Sequence, residues 1–237
     1  MNRIPFSVYD FFGYLATGFL MLVTVAYATC MTVLLRETPP LVMSFFWIVA
    51  AYVVGHIVAH IASAFLEEAV LRRGLGSPEE HLLAAKKSGW RARIFPGNFK
   101  PFPTSTQQRV LTKAQQRGVT TSDRSFFFHC HPLVKRDQAT LERLNSFLNL
   151  YGFSRNLCMA LLLIVPLLLY STWGSECGFR RAPLWWAVIA LVAAIGMFYR
   201  YLKFFRHYTV EVFTTYAELP YEGHPDQDAV RTASAAL

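Results

Sequence analysis

Hydrophobic positions gather into four long blocks without Asp, Glu, Lys or Arg, at 11–35, 41–66, 156–175 and 182–199. A helix crosses the hydrocarbon core of a bilayer with roughly 17 to 25 apolar residues, so each block predicts a membrane-crossing helix. Between the second and third blocks the pattern changes to short amphipathic pieces. Ser77-Pro78-Glu79-Glu80 reads as a capping box that opens a helix through about Lys87. Gly89 to Pro103, with Gly89, Pro96, Gly97, Pro101 and Pro103, reads as irregular. Thr104 or Ser105 then caps a helix from Gln107 to Arg117, stopped by Gly118. An apolar patch from Ser125 to His131 ends at Pro132, and from Gln138 the residues Leu141, Leu144, Leu148 and Tyr151 recur at helical spacing into the third block. Beyond the fourth block, Phe198, Tyr201, Leu202, Phe205, Tyr208, Val212 and Tyr216 continue an apolar face, so that helix is expected to run on to Pro220.

These elements predict an all-α membrane protein of four transmembrane helices, with a small helical cytosolic cap between spans two and three. The expected organisation is a first hairpin at 1–66, a basic segment at 67–155, a second hairpin with a helical extension at 156–219 and a loose tail at 220–237. Composition agrees: 54% of the 237 residues are hydrophobic and 16% charged, against roughly 25% charge in soluble domains. A soluble globule, a disordered chain and a disulfide-stapled secreted fold are excluded on these figures. Ala26-Tyr27-Ala28 resembles a signal-peptide cleavage site, but the apolar run is too long, its basic flank is Arg3 alone and Asp10 stands at its mouth. The first block is therefore read as a span.

Charge sets the expected orientation. Of 23 Lys and Arg, 15 lie between Glu67 and Arg155, and the two short connections hold only Arg36, Arg180 and Arg181. Basic residues near span ends are retained in the cytoplasm. The expected location is therefore a bacterial inner membrane with both termini and the basic segment cytosolic. That segment sets 15 basic side chains against seven acidic ones, a net of +8, a field that attracts anionic lipid head groups or the phosphates of a nucleotide or oligonucleotide. Lys86, Lys87, Arg91 and Arg93 around Trp90 are the candidate contacts. Cys30 and Cys177 both fall on the outer side, where a bridge is chemically possible.

The second span carries the most informative pattern. Ala51, Gly55, Ala59 and Ser63 form a small-residue ladder of the kind that lets membrane helices approach closely. Beside it, His56, His60, Ser63 and Glu67 form a polar stripe, with Asp10 and Tyr14 of the first span at similar depth. Ionisable groups at membrane depth face a bundle interior or a water-filled cavity. The stripe fits an ion path, a histidine pair seeking further zinc ligands, or histidines that fix packing. His129-Cys130-His131 lacks companion ligands at zinc spacing and reads as packing. No phosphate loop, nucleophile elbow or paired carboxylates occur, so neither an enzyme nor a cofactor is expected.

Phe6-Ser7-Val8-Tyr9-Asp10-Phe11-Phe12-Gly13-Tyr14-Leu15, Tyr52-Val53-Val54-Gly55-His56 and Tyr151-Gly152-Phe153-Ser154-Arg155-Asn156 stand in that order at span edges. In this the chain resembles uncharacterised bacterial four-span inner-membrane proteins, some of them components of anti-phage defence systems. The resemblance implies an oligomeric membrane sensor or effector. The leading expectation is a homo-oligomeric regulated pore gated by an anionic cytosolic ligand. The alternative is a non-conducting anchor that recruits a soluble cytosolic partner.

Overall fold

The computed structural model describes residues 8–29, 41–84, 89–119, 125–173 and 181–220. It is all-helical, with no strand among the described residues. Helix α1 is Val8–Ala28, and α2 is Leu41–Ala62, continued without a break by a wide π-helical stretch, Ser63–Leu75. Four short helices and one longer one follow: α3 Pro78–Leu83, α4 Trp90–Ile94, α5 Pro96–Phe99, α6 Thr104–Gln116 and α7 Ser125–Val134. The two longest helices, α8 Gln138–Trp173 and α9 Arg181–Glu218, close the described chain. Three stretches are long and apolar enough to cross a membrane: Leu41–Leu83, Gln138–Thr172 and Ala182–Glu218. The described apolar part of α1, Gly13–Ala28, is shorter.

The apolar helices meet through small residues. α1 lies along α2 and α8, while α8 and α9 run side by side. Val58 and Ala62 of α2 and Leu66 of the π-helical stretch pack on Cys158, Met159 and Ala160 of α8, and Ile164 and Leu168 of α8 on Ala187 and Ala190 of α9. α1 and α2 come together backbone to backbone. A Cβ at Gly18 would stand 1.7 Å from the Ala51 carbonyl oxygen, and one at Gly55 2.0 Å from that of Tyr14. Ala51 and Gly55 of the small-residue ladder thus face α1 of the same chain. Without a strong hydrophobic drive between helices in lipid, such close van der Waals contact is what holds them.

At the polar end, α3, α6 and α7 pack on the extensions of α8 and α9 to form a helical head. Its core joins Val110 and Ala114 of α6, Phe126, Cys130 and Val134 of α7, Leu144 of α8, and Val212, Phe213 and Tyr216 of α9. α8 starts where its cap dictates. The Asp137 carboxylate accepts from the Thr140 amide at 2.9 Å and its hydroxyl at 2.6 Å, and these bonds hold the carboxyl below its ordinary range. Gly118 ends α6 with φ +64°, a conformation glycine adopts without strain.

Several local expectations change. Ser77 precedes α3 but makes no side-chain capping bond, and α3 ends at Leu83 because Ala84 turns to extended backbone. The stretch expected to be irregular contains α4 and α5, since Pro96 sits at a helix start, where its missing N–H costs nothing. Pro132 lies inside α7, which continues to Val134. Residues 221–237, which include most of the expected tail, lie outside the described residues, as do Cys30 and Cys177.

Replacing Gly55 by Val should destabilise the detergent-solubilised protein by about 3 kcal/mol, because the overlap is with backbone that no rotamer change relieves. Gly196→Ala, where a Cβ meets nothing within 4 Å, should melt within a degree or two of the wild type. Equal melting of Gly55→Val and the wild type in a thermal-shift assay would show that the two backbones do not touch.

Candidate functional site

The π-helical stretch is encoded by a five-residue repeat. Leu66 and Leu71, Glu67 and Arg72, and Glu68 and Arg73 each stand five apart, the spacing that shares a face when hydrogen bonds run from i to i+5. Leu66, Leu71 and Leu75 are all buried. On the polar side, Arg72 reaches Glu67 at 3.7 Å and Glu68 at 2.8 Å, and Arg73 reaches Glu68 at 4.0 Å. This stretch connects His56 and His60 of α2 to the head.

Glu67 is the junction. Its carboxylate accepts from Ser63 Oγ at 3.3 Å and pairs with Arg155 of α8 at 2.8 Å. The Arg155 side chain is only 15% exposed and that of Glu67 25%. The guanidinium also donates to the Asn156 side-chain oxygen and stands over the Tyr151 ring. Tyr151 packs against Tyr201 and Phe205 of α9. Three long helices thus meet around a single charge pair. Arg155 was not singled out from the sequence as a site residue. The available signal was that Glu67 closes one uncharged block and Arg155 immediately precedes another, with opposite sign.

The rest of the stripe is divided. His56 stacks on Tyr14 of α1, ring centroids 4.2 Å apart, and meets Tyr52 edge-on at 4.6 Å. His56 and His60 are exposed in the single chain, on the outward face that also carries Val53, Ile57 and Ile61. Ser63 is half-buried and turned towards Glu67. The ladder residues Ala51, Gly55 and Ala59 are buried on the adjoining face, which meets α1. Asp10 lies in α1 one turn before Tyr14, and its side chain lies outside the described residues.

A second site lies below the stripe. A cavity of about 430 Å³ is bounded by Arg72, Arg73 and the Gly74–Gly76 backbone on one wall, Glu80 and His81 of α3 on another, and Trp90 and Arg91 of α4 on the third. Arg91 donates to the Gly74 carbonyl at 2.6 Å, tying α4 to the end of the π-helical stretch. His81 Nε2 lies 2.8 Å from the Leu75 carbonyl oxygen. Of the four expected anion contacts, Arg91 lines this cavity and Arg93 is exposed on the same helix; Lys86 and Lys87 lie outside the described residues. Arg72 and Arg73 join the cavity in their place.

The His129-Cys130-His131 run is split by the geometry of α7. Cys130 is fully buried, His129 is exposed, and His131 Nε2 lies 2.6 Å from the Tyr208 hydroxyl. Burial, with Lys135 nearby, pushes the His131 imidazole below its ordinary range. Among the described residues no three His, Cys, Asp or Glu side chains gather as a metal site would need. No known protein family matches the chain, and no curated protein and no solved structure matches it either.

Two measurements check this geometry. Arg155→Ala leaves Glu67 without its nearest cation in a half-buried setting and should cost about 2 kcal/mol; a double-mutant cycle with Glu67→Gln should return a coupling near 1 kcal/mol. Additive effects would mean that the pair holds nothing. Burial pushes the Cys130 thiol up to about 12, so the neutral thiol persists well above the pH at which an unfolded cysteine ionises. A maleimide should leave Cys130 unmodified at pH 9 in the folded protein and label it in denaturant; rapid labelling of native protein would contradict its burial.

Proposed function

We propose that this chain is a homo-oligomeric effector of a bacterial inner membrane, with four membrane-crossing helices, both termini and the basic head on the cytosolic side. In this reading it is a regulated pore whose polar lining begins at the His56, His60, Ser63 and Glu67 stripe and whose opening is set by an anionic ligand bound to the head. The resemblance at the span edges supports a role for such an effector in anti-phage defence. One observation carries the proposal: His56 and His60 are exposed in the single chain, on a face otherwise composed of Val53, Ile57 and Ile61. Hydrocarbon satisfies no imidazole N–H or lone pair, so such groups turn to protein or to water in a cavity. A second copy of the chain, or water held between copies, supplies what lipid does not. The continuous helix from His56 to Leu75 then gives a direct mechanical link between the stripe and the anion-binding wall.

The fourth span in this reading is α1, whose apolar part is short but which lies flush against α2 through Gly18 and Gly55. The anchor reading draws on a different observation: Phe128 is 65% exposed on the head, an apolar group offered to a soluble partner.

Reconstituted into liposomes, the wild-type chain should release a trapped ion in the presence of its anionic ligand. The His56→Leu, His60→Leu double variant should release it at least tenfold more slowly at equal insertion. Cross-linking of the wild type in the same vesicles should give a ladder of oligomers. Equal release by both proteins, or a wild type that stays monomeric and impermeable, would remove the pore and leave the anchor.

A further inference from the structure

The depth of the basic cavity follows from the helix it docks on. The uncharged stretch of α9 ends at Tyr199, and Arg200 follows. α4 is fastened at this level: the Tyr199 hydroxyl donates to the Ile94 carbonyl at 3.2 Å, and the Phe95 ring lies 5.4 Å from that of Tyr199 and 5.8 Å from that of Phe198. On the outer side of α4, Trp90 is 68% exposed and Ile94 47%, with Arg91 and Arg93 exposed beside them. An aromatic ring, an aliphatic side chain and two guanidiniums facing outward at the end of an apolar stretch are the composition of a membrane interface.

The opposite wall gives the same level. Leu66 is the last residue of the uncharged block in α2, and the cavity begins at Arg72. Arg72, six residues on, stands at most about 9 Å beyond Leu66 along the helix, at the outer edge of a head-group layer about 5–8 Å deep in one leaflet. The cavity therefore opens at the level where such spans leave the apolar core, within reach of lipid phosphates.

Its charge suits one phosphate. Arg72, Arg73 and Arg91 line it against the single carboxylate of Glu80. Arg72 is held by Glu68 at 2.8 Å, whereas Arg73, 76% exposed, has Glu68 only at 4.0 Å. Arg91 spends one N–H on Gly74 and keeps others for a ligand. The net surplus matches the one or two charges of a phosphate ester and falls short of those of a triphosphate.

We infer that this cavity is a binding site for the phosphate of an anionic phospholipid head group, held by Arg73 and Arg91 with Trp90 at the glycerol level. The inference rests on the reading of the head as the anion-responsive part, and names its ligand. A phosphate held by Arg73 draws it from Glu68, which is left more fully to Arg72 and takes that arginine from Glu67. Glu67 is then left more fully to Arg155. Lipid composition is thereby coupled to the charge pair at the base of the histidine stripe.

The full-length protein in nanodiscs of phosphatidylcholine with a minority of phosphatidylglycerol, followed by native mass spectrometry of retained lipid, tests this. Wild type should retain phosphatidylglycerol at least tenfold over phosphatidylcholine. Arg73→Gln with Arg91→Gln should lower that retention fivefold or more, and Glu80→Gln, which removes the opposing carboxylate, should raise it about threefold. The Glu80 variant gains binding, a result that misfolding does not mimic. Millimolar ATP or inorganic phosphate should leave the retained lipid in place. Unchanged retention in the arginine variant, or no gain with Glu80→Gln, would overturn the site. Displacement of the lipid by ATP or phosphate would also overturn it and assign the cavity to a soluble phosphate, with the anion-gated reading of the head intact. Retained lipid in a protein that never releases ions from liposomes would uphold the site while removing the pore.

Discussion

The Glu67–Arg155 pair is the point at which the apolar bundle and the polar head are made one object. It joins α2 to α8, and through Tyr151 and Tyr201 it reaches α9. A half-buried ion pair gains little net stability by itself, since desolvation offsets much of the attraction. Its importance is in register. Either charge alone at that depth is costly, so α2 and α8 are fixed against sliding. The π-helical stretch below inherits that register and presents Arg72 and Arg73 to the cavity.

The head depends on the same helices for its core. α6 and α7 bury Val110, Ala114, Phe126, Cys130 and Val134 on Val212, Phe213 and Tyr216 of α9, and have too few apolar residues to cover one another without it. Lys113 closes the arrangement by donating to the Leu219 carbonyl at 2.6 Å, satisfying a backbone group at the end of α9. Burial and the nearby Arg117 lower the pKa of this lysine, yet its bond to a carbonyl favours the charged ammonium. Bundle and head are thus two ends of one set of rods.

Much of this is legible in the sequence. The uncharged blocks, the start of α8 at Gln138, the stop of α6 at Gly118 and the run of α9 to the edge of Pro220 follow from apolar periodicity and terminator residues, which act locally. What escaped reading depends on distance in space. Gly55 was visible as part of a ladder, but its partner Gly18 and the contact within one chain are facts of tertiary packing. The many glycines and prolines of 89–103 concealed α4 and α5, since Pro96 starts a helix as readily as it ends one. The five-residue repeat from Leu66 to Arg73 was present in the sequence, but it lies between the helical and strand periods usually sought. Arg155 looked like one retention charge among many until Glu67 was placed beside it.

The length of α9 has a mechanical consequence. Its 38 residues form one rod, roughly 57 Å long at 1.5 Å per residue, nearly twice the hydrocarbon thickness of a bilayer. One half is gripped by the head, and the other carries Trp185, Trp186, Val188 and Val192 on its outer surface. Such a rod is a lever with its fulcrum near Tyr201. A rocking of the head by a few degrees becomes a sideways sweep of roughly 2 Å at the far end, about 30 Å away by the same rise per residue. Two angstroms is comparable to the helix translations by which membrane and soluble assemblies change state. A rod of this length therefore converts a tilt at its head end into lateral displacement at its far end.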